Sequence, residues 1–178
     1  MIFNRKQTRS SRNNVIVVNK PGNEIITESF NRLKDNILFF NADNKVKIIQ
    51  ISSSTACEGK TTVIANLAVT MANNGLKVLL VEGDLRAPRI HHAFNLENEF
   101  GIYDYMLHNK SLKEIVKHTD VKVDVITRGE KIENPSAVIA SEKYKNLITQ
   151  AKEEYDYILI DCPPVLEISD YIHISTIS

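Results

Sequence analysis

Residues 54–62 read Ser-Thr-Ala-Cys-Glu-Gly-Lys-Thr-Thr and follow the apolar run Val46-Lys47-Ile48-Ile49-Gln50-Ile51. The later residues of this stretch each have a use around a chain of phosphates. Gly59 admits close backbone approach, Lys60 can reach the outer phosphates, and the Thr61 hydroxyl can ligate Mg2+. The chemistry requires a tight turn whose amide N–H groups face phosphate oxygens and lead into a helix N-terminus. Ser54 stands where such a loop usually opens with glycine, a position a small residue can fill if its backbone angles are ordinary. A chance Gly-Lys-Thr helix start, or a loop that folds and binds nothing, are the bland alternatives. Against them, two further stretches end in acids. Tyr157-Ile158-Leu159-Ile160 runs into Asp161, suited to holding a metal-bound water, and Val78-Leu79-Leu80-Val81 runs into Glu82-Gly83-Asp84. With the loop, in this order, they describe a metal–nucleotide site.

The elements that must position these residues are legible from apolar spacing. Ile26, Phe30, Leu33 and Ile37 recur at helical intervals over 25–40. Residues 46–51 predict a strand, 60–74 a helix closed by Gly75, and 78–81 a second strand. A short helix over 111–117, a strand over 123–126, a helix over 141–154 and a strand over 157–160 follow. Alternating helices and short apolar strands predict an α/β fold with a mainly parallel sheet covered on both faces. In such sheets ligands lie beyond the carboxyl ends of the strands, where all three polar stretches fall.

Bulk composition narrows the function further. The 178 residues include 22 basic and 22 acidic side chains, so no global charge points to nucleic acid. Cys57 and Cys162 have neither metal nor redox spacing, which fits a reducing compartment and no disulfide framework. No run of apolar residues reaches membrane-spanning length, so a cytoplasmic location is expected. Residues 1–23 hold Arg5, Lys6, Arg9, Arg12 and Lys20 without an acid and are expected to be a flexible basic tail. Near an anionic bilayer each such charge contributes about 1 kcal/mol, so the tail would bind only beside another anchor. Residues 24–178 form the expected domain.

The segments STACEGKTTVIANLAVTMA, VLLVEGDLRAPRIHHAF, GEKIENPS and YDYILIDCPPV resemble the cytoplasmic kinase domain of bacterial tyrosine kinases of capsule and exopolysaccharide synthesis. The likeness covers about residues 20–172. It implies a three-layer P-loop NTPase-like fold, ATP and Mg2+ as cofactors, and phosphoryl transfer to tyrosine hydroxyls, including those of neighbouring copies. By resemblance the nucleotide-binding set is Ser54, Glu58, Gly59, Lys60, Thr61 and Thr62, and the metal set Thr61, Asp84 and Asp161. The catalytic set is Lys60, Glu82 and Asp84, with Glu82 as candidate base in place of the family's first aspartate. The implied partners are tyrosine-containing protein substrates, a membrane-embedded activator of the polysaccharide co-polymerase type, and other copies of the chain. The activator would hold it at the inner face of the plasma membrane. A regulatory or decayed nucleotide-binding module is the alternative. A ParA- or MinD-like ATPase is disfavoured because Thr55 stands where that group has a second lysine.

Three departures from the family accompany these expectations. Glu82 has a longer arm than aspartate. The family's ExxRxxR element falls on Glu28, Asn31 and Lys34, without its arginines, although Arg32 is adjacent. The six tyrosines are dispersed rather than clustered, and family members continue past the Asp161 motif. The domain is therefore expected to be incomplete on its C-terminal side. The expected strand order is third, second, fourth, first, which leaves strand 46–51 with one neighbour and the chain prone to self-association.

Overall fold

The computed structural model describes residues 15–43 and 45–166. Its sheet has the order β1-β5-β2-β4-β3, with β1 (Ile48–Ile51), β2 (Val78–Glu82), β3 (Lys117–His118), β4 (Asp124–Ile126) and β5 (Tyr157–Asp161). Four strands run parallel, and only β3 is antiparallel. The expected order of the four long strands is thus observed, and among the described residues β1 pairs with β5 alone. The two-residue β3 replaces the end of the helix expected over 111–117, which is confined to α5 (Leu112–Ile115).

Alternation along the strands sends side chains into two cores, one on each sheet face. Val78, Leu80, Tyr157 and Leu159 meet α2 (Lys60–Asn73), which lies beneath α1 (Glu24–Phe40). Leu79, Val81, Ile158 and Ile160 meet α4 (Ile102–His108), α5 and α7 (Glu142–Glu154). Short helices α3 (Ile90–Ala93) and α6 (Pro135–Ile139) follow the loops at the carboxyl ends of β2 and β4. This is the expected three-layer arrangement.

Two segments depart from the sequence reading. Along α1, Phe30 and Ile37 pack inward but Ile26 and Leu33 remain exposed, and Lys34 is buried with its ammonium on Asn74 Oδ1 at 2.9 Å. Lys34 therefore faces α2 rather than outward, while Arg32 is exposed and paired with Glu28 at 3.2 Å. Residues 15–18, placed by the sequence reading in the basic tail, are packed on α2, and residues 1–14 lie outside the described residues. Val18 is buried, and its N–H and that of Val17 donate to Asn66 Oδ1 at 3.1 and 2.8 Å. The Asn66 amide returns a bond to Val15 O at 2.8 Å.

Candidate functional site

The loop between β1 and α2 has the shape its glycine demands. Gly59 has φ +91° and a Cβ there would meet nothing within 4 Å, so the requirement is conformational. Cys57 is also left-handed at φ +63°, whereas Ser54 is not among the positive-φ residues. Ser54 thus satisfies the condition set by the missing glycine. Two left-handed residues on either side of Glu58 curl the loop ahead of the α2 N-terminus, the backbone form that gathers N–H groups around an anion. Glu58 is exposed on this loop. Its carboxylate accepts from Thr55 N–H at 3.1 Å, which holds its pKa below the ordinary value and braces the loop from within.

Strand pairing brings the acids to this loop. The register sets Asp161 beside Ile51 on one flank and beside Glu82 on the other. The Thr61 hydroxyl donates to Asp161 Oδ2 at 2.5 Å, joining loop and strand end. Asp161 is 1% exposed and its other oxygen has no partner among the described residues. Burial pushes its pKa up to about 6, against the opposing pull of the Thr61 hydroxyl and Lys60. An orphaned buried carboxylate oxygen beside a threonine hydroxyl is an oxygen donor set that fits a hard cation.

Gly83 explains how Asp84 comes so close. Its N–H donates to Asp161 O at 3.0 Å, and a Cβ at this position would lie 2.8 Å from that oxygen. Only a residue without a side chain lets the β2 end approach β5 this closely. Asp84 then turns into the cleft, with Oδ1 accepting from Ala87 N–H at 3.0 Å. Arg86 reaches Ser136 Oγ at 2.7 Å, which ties the EGDLR segment to the NPS segment at the head of α6.

Glu82 is placed differently from its expected role. It is fully buried, and Oε2 accepts from Arg89 and Ile90 N–H at 2.8 and 3.0 Å. Burial and the neighbouring Asp161 raise its pKa well above the ordinary carboxylate value. The side chain lies beneath the site and fastens the loop that carries Asp84 and Arg86. The extra methylene that sets Glu82 apart from aspartate lengthens this strut.

Lys60, Thr61, Thr62, Gly59 and Asp84 line one cleft of about 940 Å³, and Val15 of the N-terminal segment and the α3 histidines share it. A second hollow of about 570 Å³ opens at the opposite end of the strands, beside Gly75, His118 and Tyr155, away from every acidic motif. Sequence reasoning missed Asn66, Ser136 and the α3 residues. All of them lie in segments that carry the family likeness, and that was the signal available.

The comparisons agree with this geometry. Residues 46–177 match a family described as AAA domain. The chain is 37% identical to the tyrosine-protein kinase YwqD of Bacillus subtilis over 93% of this chain and 70% of the relative. With CapB of Staphylococcus aureus it shares 36% identity over 82% of this chain, and it spans 64% of that relative's length. The chimerical protein CapA2B2 superposes with a TM-score of 0.82 at 35% identity, covering 89% of this chain and 69% of that one. MinD of Pyrococcus horikoshii, solved with Mg-ADP, superposes less well, with a TM-score of 0.56 over 66% of this chain. A ParA- or MinD-like reading is accordingly the weaker one. The nucleotide loop, its acidic strand ends and these relatives together make the chain a member of the bacterial tyrosine-protein kinase family.

Proposed function

We propose that the chain is a protein-tyrosine kinase module that transfers the γ-phosphoryl group of ATP to tyrosine hydroxyls and so regulates capsule or exopolysaccharide synthesis. The observation that carries this reading is the bond from Thr61 to Asp161, which unites the phosphate loop with the buried acid. Lys60 and the loop amides hold and neutralise the outer phosphates. Thr61, Asp161 and Asp84 would hold Mg2+, directly or through water. When bound, the ion supplies charge neutralisation on the phosphate oxygens. Asp84, half-buried in the cleft, takes the proton of the acceptor hydroxyl, and Glu82 holds its loop in place.

The acceptor is not one of the four buried tyrosines. Tyr105, Tyr144, Tyr155 and Tyr157 are each under 10% exposed, so their hydroxyls cannot enter another copy's cleft without unfolding. Tyr171 lies outside the described residues. No helix among the described residues is long and apolar enough to cross a membrane. Stimulation by the cytoplasmic tail of a separate membrane protein is the regulation that the family resemblance implies.

Incubation with labelled ATP and Mg2+, followed by phosphotyrosine detection, tests the reading. Wild type supplied with a tyrosine-containing acceptor should gain phosphotyrosine, more so with the activator tail, and Lys60→Met should not. Nucleotide binding without phosphotyrosine under every condition would instead support a regulatory module, the reading that the buried Glu82 favours.

A further inference from the structure

The cleft has two walls, and both carry positive groups. The phosphate loop forms one. The other, from the β2–α3 loop and α3, presents Arg86, Arg89, His91 and His92. Asp84 is the only carboxylate among the described residues lining the cleft. Arg89 and His92 are exposed, and among the described residues neither has an acidic partner. Lys60 and the loop amides would serve a nucleotide's phosphates, so the Arg86 and Arg89 guanidiniums exceed what the nucleotide needs.

The wall is also held rigidly. Glu82 Oε2 pins the Arg89 and Ile90 amides from below. Arg86 is fixed on Ser136, and Arg128 donates to Leu85 O at 3.3 Å. The rings of His91 and His92 lie 3.9 Å apart. Burial, and after it His92, Arg128, Lys117 and Arg89, lowers the His91 pKa to about 4, which leaves this ring neutral at pH 7. An exposed guanidinium such as that of Arg89, carried on a loop pinned through its backbone at the edge of a cleft, attracts and orients an anionic segment.

We infer that Arg89 and His92 form an acceptor-side subsite that selects tyrosine segments flanked by negative charge, whether acidic side chains or phosphate already placed on neighbouring tyrosines. The inference rests on the kinase reading and deepens it by naming the substrate class. Because the cationic wall faces the loop across the cleft, a tyrosine between flanking anions would present its hydroxyl toward Asp84 and the outer phosphate.

The test is a binding measurement on the full chain with saturating Mg·ADP, so it requires no turnover. Three fluorescent peptides of one length are compared by anisotropy. One has a tyrosine among glutamates, one a tyrosine beside phosphotyrosines, and one a tyrosine among glutamines. Either anionic peptide should bind about tenfold more tightly than the neutral one, with the preference fading in high salt. The order of the two anionic peptides identifies which source the subsite favours. Arg89→Ala/His92→Ala should remove the preference while leaving Mg·ADP affinity as it was. Equal binding of anionic and neutral peptides would overturn the inference. So would a parallel loss of Mg·ADP affinity in the double variant, which would assign the wall to the nucleotide. Failure of the kinase reading itself would appear elsewhere, as absent phosphotyrosine in an assay these binding data do not use.

Discussion

Asp161→Asn should make the ligand-free protein more stable while disabling its site. Asp161 is 1% exposed, and burial raises its pKa from 3.8 to about 6. Below the lower value both folded and unfolded chains carry the proton. Above the higher value the folded chain must hold a buried charge, and the full cost is present. A shift of about two units corresponds to about 3 kcal/mol at neutral pH. Asparagine removes the charge and keeps an oxygen to accept from Thr61, but it buries an amide N–H2 without an evident acceptor. That leaves a net gain of about 1–2 kcal/mol, or about 3–6 °C in Tm for a chain of this size. Thermal melts near pH 7.5 should show this gain without ligand, and the gain should disappear as pH falls toward about 4. Addition of Mg·ADP should raise the wild-type Tm, as binding to the folded state must, and the variant's far less. A variant that melts lower than wild type without ligand, or retains the full Mg·ADP shift, would refute the argument.

Substitutions at three further positions probe the supports of the site. Gly83→Ala places a Cβ 2.8 Å from Asp161 O and should cost about 1–3 kcal/mol in denaturant unfolding, with weakened Mg·ADP binding by calorimetry. Asn66→Ala leaves Val17 and Val18 N–H without their acceptor and should destabilise by about 2–4 kcal/mol, with earlier proteolysis before residue 20. Glu82→Gln keeps an acceptor for the Arg89 and Ile90 amides and should be close to neutral in stability, whereas Glu82→Leu should cost about 2 kcal/mol and lower the rate of phosphorylation more than the affinity for nucleotide.

What the sequence made legible was whatever rests on a repeating pattern or a fixed chemical demand. The apolar runs ending in Glu82 and Asp161 marked strands, and Gly59-Lys60-Thr61 marked the start of α2. Even the sheet order followed once the family was named. What escaped depends on contacts between distant residues. Helices α3 and α6 span four and five residues, too short to show periodicity, and are held by Glu82 and the Asn134 cap rather than by propensity. Lys34 reads as a surface residue until α2 supplies Asn74 as its partner. The N-terminal segment reads as solvated because its docking site, Asn66, is a polar residue inside an apolar helix face. Glu82 shows the limit most clearly. Its motif position suggested reactivity, and only its burial revealed a fastening role.

The strand order has a kinetic meaning for the living chain. Thr61 and Asp161 are 100 residues apart, and β5 fills the place between β1 and β2. At ribosomal rates of about 5–20 residues per second, the loop and its helix emerge several seconds before the acid that completes them. During that interval β1 and β2 cannot pair with each other in their final places, and the slot between them presents two open edges with apolar faces. Nucleotide therefore cannot template the early half of the fold. The nascent protein depends on the late arrival of Tyr157-Ile158-Leu159-Ile160-Asp161, and it is this window, rather than the finished sheet, that most exposes the chain to capture by chaperones or by its own neighbours.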